Sequence, residues 1–250
     1  MKKTLLALLL VFGFNSTANA SELSGSVIFA SNYIYRGMSY NSQGTTYQSQ
    51  GSPVIQGTLD YFHNGFGLTY FTGPADTFDT VNFVVEKDVE SDWFSYYTKT
   101  IGNVNIGVGV NYYGLLKNNS NDTIEYNANV SYKALRLDES YSEVYSGADT
   151  NYSYTTLKFT PQLNSADSKA SLNLVSKLGY VYFREPLQAG TSNYYDYQAG
   201  LSYSVDGWRT EIAYTNTLER SNPYTKTKTK ITTDGTVTIV VSKTFSILGN

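Results

Sequence analysis

Asn105-Ile106-Gly107-Val108-Gly109-Val110-Asn111-Tyr112 alternates apolar residues with small or polar ones at every step. Successive side chains of an extended strand point to opposite faces. Ile106, Val108, Val110 and Tyr112 therefore share one side, and Asn105, Gly107, Gly109 and Asn111 share the other. The pattern returns as Ile124, Tyr126, Ala128, Val130 and Tyr132 against Glu125, Asn127, Asn129 and Ser131. It returns again as Tyr195, Tyr197, Ala199, Leu201 and Tyr203 against Asp196, Gln198, Gly200, Ser202 and Ser204. Such a strand is apolar on one face only. A long series of them predicts an all-β chain, a transmembrane antiparallel up-and-down β-barrel with lipid outside and a polar lumen inside.

The start of the chain agrees with export. Met1-Lys2-Lys3 is a short basic region, Thr4 to Phe14 is apolar and uncharged, and Ala18-Asn19-Ala20 is a small-x-small cleavage site. Residues 1–20 read as a signal peptide and 21–250 as the barrel domain. The apolar run is about half the ~20 residues that a spanning helix needs, which argues against an uncleaved anchor. Removing Lys2 and Lys3 takes the formal charge from −3 to −5, which disfavours nucleic acid as a partner. Without cysteine, no disulfide holds the exported fold. Charged residues make up 16% of the chain and tyrosine supplies 24 positions. Ordinary soluble domains are ~25% charged, so this surface suits partial contact with lipid.

Strands are predicted over 25–36, 54–62, 66–73, 91–100, 104–115, 123–132, 135–145, 151–160, 170–183, 194–205, 208–217 and 236–245, about 12 in all. Every second connection is short: His63-Asn64-Gly65, Ile101-Gly102-Asn103, Lys133-Ala134 and Asp206-Gly207, with 161–169 the longer exception. Asn-Gly and Asp-Gly supply the positive φ angles of tight hairpins. The alternate connections, 37–53, 74–90, 116–122, 146–150, 184–193 and 218–235, are mostly longer and more polar. Short periplasmic turns facing long external loops is the outer-membrane arrangement, whereas a soluble barrel has no reason to sort its loops by side. The assignment places Tyr33, Tyr35, Tyr112, Tyr126, Tyr141, Tyr145, Tyr180, Tyr182, Tyr195 and Tyr197 near the outer rim. Tyr61, Phe66, Tyr132, Tyr203, Trp208 and Phe245 fall near the periplasmic rim, completing two aromatic belts. Two strands resist the rule. In 91–100 both Trp93/Tyr97 and Phe94/Tyr96 are candidates for the lipid face, and in 151–160 neither parity is clean. Val81–Val85 reads as part of an external hairpin.

Ser31-Asn32-Tyr33-Ile34-Tyr35-Arg36-Gly37-Met38-Ser39, followed by Gln56-Gly57-Thr58-Leu59-Asp60-Tyr61, resembles the opening of the TorF family of porin-like proteins. The likeness continues through Gly65-Phe66-Gly67, the Gly102-Asn103 hairpin and the closing Val241-Ser242-Lys243-Thr244-Phe245. It implies a small barrel in the outer membrane of Gram-negative bacteria with a porin-like role, delivered there by the barrel-assembly machinery.

Catalytic signals are sparse. The only histidine, His63, lies in a tight turn, which leaves no ordinary histidine base or relay, and the usual zinc sets lack their ligands. There is no Gly-x-Ser-x-Gly and no phosphate-binding loop. Asp76, Asp79, Glu86 and Asp88 lack calcium-site spacing and read as a solvated loop. We therefore expect no enzyme activity and no cofactor. Function falls to the lumen and the loops. Arg36, Gln56, Asp60, Asn105, Asn111, Glu125, Asn127, Asn129, Lys177, Asp196, Gln198, Arg209 and Glu211 are the expected lumen-lining residues. An unpaired Lys or Arg on the lipid face at midplane would cost ~2–4 kcal/mol, so these charges belong inside. Gly107, Gly109, Gly179, Gly200, Ser202, Ser204, Thr236 and Thr238 are small inward residues that suggest a narrow watery passage with weak ion selectivity. A loop such as 37–53 or 74–90 folding inward would close it. Lys226, Lys228 and Lys230 form a basic cluster in the last external loop, suited to phosphates of a surface glycolipid. The sequence thus points to a passive diffusion channel for small hydrophilic solutes or ions. An occluded barrel with a structural, adhesive or ligand-binding role is the alternative.

Overall fold

The computed structural model describes residues 21–39, 53–79, 84–117, 122–144, 150–165, 168–185, 193–219 and 235–249. The leader 1–20 and the lysines 226, 228 and 230 lie outside them, as does Tyr145. The strands in chain order are β1 (Glu22–Ala30), β2 (Ile34–Tyr35), β3 (Met38–Ser39), β4 (Val54–His63), β5 (Phe66–Asp79), β6 (Val84–Ile101) and β7 (Val104–Tyr113). They continue as β8 (Thr123–Tyr132), β9 (Leu135–Ser142), β10 (Tyr152–Phe159), β11 (Ser171–Phe183), β12 (Tyr194–Val205), β13 (Trp208–Glu219) and β14 (Thr236–Leu248). All but β2 and β3 form one closed antiparallel ring, β1-β14-β13-β12-β11-β10-β9-β8-β7-β6-β5-β4. Ring closure comes from β1 pairing with β14 on one edge, through Val27 and Lys243, and with β4 on the other, through Val27 and Gly57. Closure leaves no unpaired edge among the barrel strands, as a lipid environment demands.

The faces follow the predicted alternation. Val108, Val130 and Leu201 point outward and are 52%, 40% and 48% exposed, while Gly107, Glu125 and Ser202 on the same strands are buried inside. An interior apolar core would reverse that order. Glu139 interrupts the outer face between Leu137 and Tyr141, and its carboxylate accepts a hydrogen bond from Thr155 Oγ1 at 2.5 Å. Tight turns join β4 to β5, β6 to β7, β8 to β9 and β12 to β13, all at one end, which also holds the start of β1 and the finish of β14. Positive φ at Asn64 and Gly65 (49° and 82°) and at Asp206 and Gly207 (48° and 74°) fits the two-residue turns expected there. We call this the turn end, and the opposite one the loop end.

Several boundaries differ from expectation. β5 and β6 stay paired past the predicted limits, from Pro74↔Val89 to Asp79↔Val84, so most of 74–90 is a projecting two-stranded arm instead of a loop. Backbone pairing needs no apolar face there, which is why the polar residues gave no strand signal. Val84 and Val85 belong to β6, and β14 runs on from Phe245 to Leu248. The largest difference is at the start. β1 stops at Ala30 and does not run to residue 36. Ser31 fixes the exit, its backbone N donating to Ile239 O at 2.8 Å and its Oγ accepting from Ile239 N at 2.9 Å. The chain then bends inward and forms a separate hairpin, β2–β3, through the pairs Ile34↔Ser39 and Tyr35↔Met38.

Candidate functional site

Arg36 and Gly37 are the two central residues of that hairpin, with φ of 50° and 79°. Paired positive φ values are the signature of a type I′ turn, and only glycine takes the second without strain. Space forces the same choice. A Cβ on Gly37 would stand 2.6 Å from both Asp196 Cβ and Thr217 Cγ2, on β12 and β13. The tip is thus wedged against one wall of the lumen while its arginine reaches further. In the ring β9 stands opposite β1, and Arg36 ends on the two strands flanking β9. Its Nη2 pairs with Glu125 Oε2 of β8 at 2.5 Å. Its guanidinium carbon lies 4.8 and 4.7 Å from the ring centres of Tyr152 and Tyr154 of β10, and 4.7 Å from that of Tyr35.

The hairpin is held along both flanks. Tyr33 donates to Glu90 Oε2 of β6 at 3.0 Å and packs its ring near Phe71 of β5, 6.4 Å between centres. Tyr35 meets Tyr113 of β7 edge-on at 6.0 Å. On the other flank Tyr194 of β12 donates to the Arg36 carbonyl at 3.1 Å. Glu125 in turn accepts from Tyr152, and from Asn111 and Tyr113 at 3.4 Å each. Beside this cluster Lys177 Nζ pairs with Asp196 Oδ1 at 2.8 Å and donates to Tyr154 Oη at 3.0 Å, while Tyr154 donates to Asp196 at 2.7 Å. Arg36 is 8% exposed, Glu125 1% and Asp196 0%, so the lumen at this level is filled and dry. Burial raises the Tyr35 phenol well above its ordinary range, against the pull of Arg36, so the ring stays neutral beside the cation.

Two expectations are corrected here. Arg36 does face the lumen, but from a hairpin tip and not from a wall strand. Tyr33 and Tyr35 belong to that hairpin and not to the lipid-facing belt, because the alternation Tyr33-Ile34-Tyr35-Arg36 continues after the chain has left the wall. The small inward residues serve packing where they touch this cluster. A Cβ on Gly179 would meet Asp196 Oδ2 at 2.6 Å and the Tyr154 ring at 2.7 Å; outside the cluster, one on Gly107 would meet the end of the Asn129 side chain, Nδ2, at 2.6 Å. Glycine there makes room for large neighbours instead of water.

The remaining predicted residues also face inward. Gln56 is buried in the loop half with its side chain over Gly73, and among the described residues its Nε2 has no partner. Asp60 accepts from Thr58 and Thr69 at 2.7 Å each, Asn105 from Thr100 at 2.7 Å, and Asn127 from Ser140 at 2.6 Å. Glu211 takes Arg209 at 2.6 Å and Gln198 at 3.2 Å. The reading of the sequence missed Arg136, Asp138 and Lys158, which form an ion-pair chain at 2.7 and 3.2 Å on β9 and β10. The apolar odd positions Leu135, Leu137 and Tyr141 carry the signal that would have placed Arg136 and Asp138 inside. Asp88, expected in a solvated loop, is instead buried, and Glu90 and Asp92, which were missed, are buried beside it, because the longer β6 carries all three on its inward face. The Asp88 carboxylate accepts from Lys117 N at 3.0 Å. Among the described residues no group of three potential ligands is placed to hold a metal ion.

A closed ring with an apolar girdle and a polar, internally bridged lumen defines a membrane-type β-barrel. Residues 15–245 match the family model Gcw_chp, bacterial proteins of unknown function, and the chain belongs to that family. No curated protein matches the chain. A solved structure from work on the mechanism of in-meso crystallisation of membrane proteins is similar in fold. Its TM-score is 0.52 at 10% identity, over 90% of this chain and 84% of that one.

Proposed function

We propose that this chain is an outer-membrane, porin-like channel of the TorF type, exported by its leader and inserted with the turn end in the periplasm. It passes small hydrophilic solutes or ions passively through a narrow lumen, with no cofactor and no catalysis. The observation that carries this reading is the contrast between wall and closure. The turn half offers inward charges that stay wet, with the side chains of Arg136, Lys158 and Arg209 48%, 40% and 46% exposed. The loop half is closed by the 31–39 hairpin, a segment outside the hydrogen-bonded ring, so opening needs no wall strand to break. Proposed partners outside the lumen are membrane lipid, the barrel-assembly machinery and, at Lys226, Lys228 and Lys230, the phosphates of surface glycolipid.

The dry packing around Arg36 favours a second reading, an occluded barrel whose loops do structural, adhesive or ligand-binding work. Planar-bilayer recording separates the two. A porin-like channel gives discrete conductance steps from heat-modifiable, folded protein, rising in size or frequency when the hairpin is loosened. Silence from folded wild type and folded hairpin variants alike would leave only the occluded barrel.

A further inference from the structure

A guanidinium lying over tyrosine rings and paired with a carboxylate is a geometry that would also suit a free guanidinium-bearing ligand. Here the ligand is the chain's own Arg36. We infer that Glu125, Tyr152 and Tyr154 on the barrel wall form a guanidinium-binding site, which Arg36 fills as a tethered occupant, and that guanidino solutes compete for it. This rests on the channel reading for its purpose, but the site itself does not.

Three observations carry it. First, the site belongs to the wall: Glu125 is on β8 and both tyrosines are on β10, so it persists when the hairpin leaves. Second, the two neighbouring cations take different seats. Lys177 lies in the same neighbourhood, yet its ammonium goes to Asp196 and stands 5.7 Å from the Tyr154 ring centre, while the planar guanidinium takes the position over both rings. A flat, weakly hydrated cation stacks on the ring faces, whereas a compact ammonium keeps to the carboxylate. Third, the tethered occupant fits incompletely. Its Nη2 is paired with Glu125, but among the described residues its Nη1 is buried without a hydrogen-bond partner. Position along the hairpin dictates the approach of Arg36, and a free guanidinium is not so constrained and can present its full fork to the carboxylate. If Arg36 withdraws, Glu125 is left as a buried carboxylate with no cation on it, a state that favours a replacement cation.

The test uses the full-length mature barrel, refolded into lipid, as wild type, Arg36→Met and Arg36→Met/Glu125→Gln, with ethylguanidinium and ethylammonium as probes. The expected result is that Arg36→Met conducts more than wild type and is blocked by ethylguanidinium at concentrations about tenfold below those of ethylammonium, a difference that Glu125→Gln removes. Ethylguanidinium should also raise the thermal unfolding temperature of Arg36→Met, and not that of the double variant. If Arg36→Met conducts but neither cation blocks selectively and the unfolding temperature is unmoved, the site does not exist. If no variant conducts but the selective thermal shift is present, the channel reading fails and the site stands. Should Arg36→Met fail to fold alone, recovery of heat-modifiable barrel by ethylguanidinium, and not by ethylammonium, supports the site; refolding that neither cation restores overturns it.

Discussion

The two halves of this lumen are built from the same strands yet obey different rules. At the loop end ionisable side chains are buried and locked together: Glu125 and Asp196 are 1% and 0% exposed, and the charges opposite them come from Arg36 and Lys177. At the turn end Arg136 and Lys158 pair with Asp138, and Arg209 with Glu211, with much of the cationic surface wet. The same kind of contact therefore has different weight in each half. A buried pair, once broken, leaves an uncompensated charge, whereas an exposed pair exchanges its partner for water. The loop half is where stability is held, and in the proposed channel the turn half is where electrostatics would meet a passing solute.

Substitutions can break that contrast. The largest effect is expected from Glu125→Ala, which strands Arg36 in the packed lumen and should cost about 3–5 kcal/mol in urea unfolding from lipid vesicles. Gly37→Val follows at about 2 kcal/mol in the same assay, since a side chain there combines a strained φ with a collision against Asp196 and Thr217. Arg209→Gln should cost less than about 1 kcal/mol, because its pair with Glu211 is exposed. If Arg209→Gln destabilised as much as Glu125→Ala, the distinction between the halves would be lost. For permeation the ranking reverses. In a hairpin-loosened background, reversal-potential measurements should show Asp60→Asn moving preference toward anions and Arg209→Gln toward cations. Unchanged potentials in both would remove these residues from the solute path.

Most of the wall was legible because lipid imposes one rule on every strand. Val108, Val130, Leu201, Asn64-Gly65 and Asp206-Gly207 all read correctly from alternation and turn chemistry. That rule fails where the lumen itself is filled with rings. β10 looked indecisive because Tyr152 and Tyr154 point inward at one end while Leu157 and Phe159 point outward at the other. β6 carried aromatics on both faces for the same cause: Trp93 and Tyr97 face out, while Tyr96 covers Gly67 and Phe94 lies 5.6 Å from the Tyr113 ring. The hairpin was harder still. Its tyrosines preserve the two-residue period, and its partners are wall positions that local pattern cannot pair with it. The Arg36-Gly37 turn within Tyr35-Arg36-Gly37-Met38 was the available sign, and it reads as a turn only once the strand is known to stop at Ala30.

The hairpin also constrains the order in which the molecule can be put together. It follows the first barrel strand, yet Arg36 binds Glu125 and Tyr194, 89 and 158 positions further along the chain. An N-terminal segment emerging early has nothing to lean on until the opposite staves have been added, and contacts of such sequence separation form late. Seating of the arginine therefore reports that the cylinder is nearly complete, so a protease that cuts between Ser31 and Ser39 would distinguish finished molecules from those still being assembled.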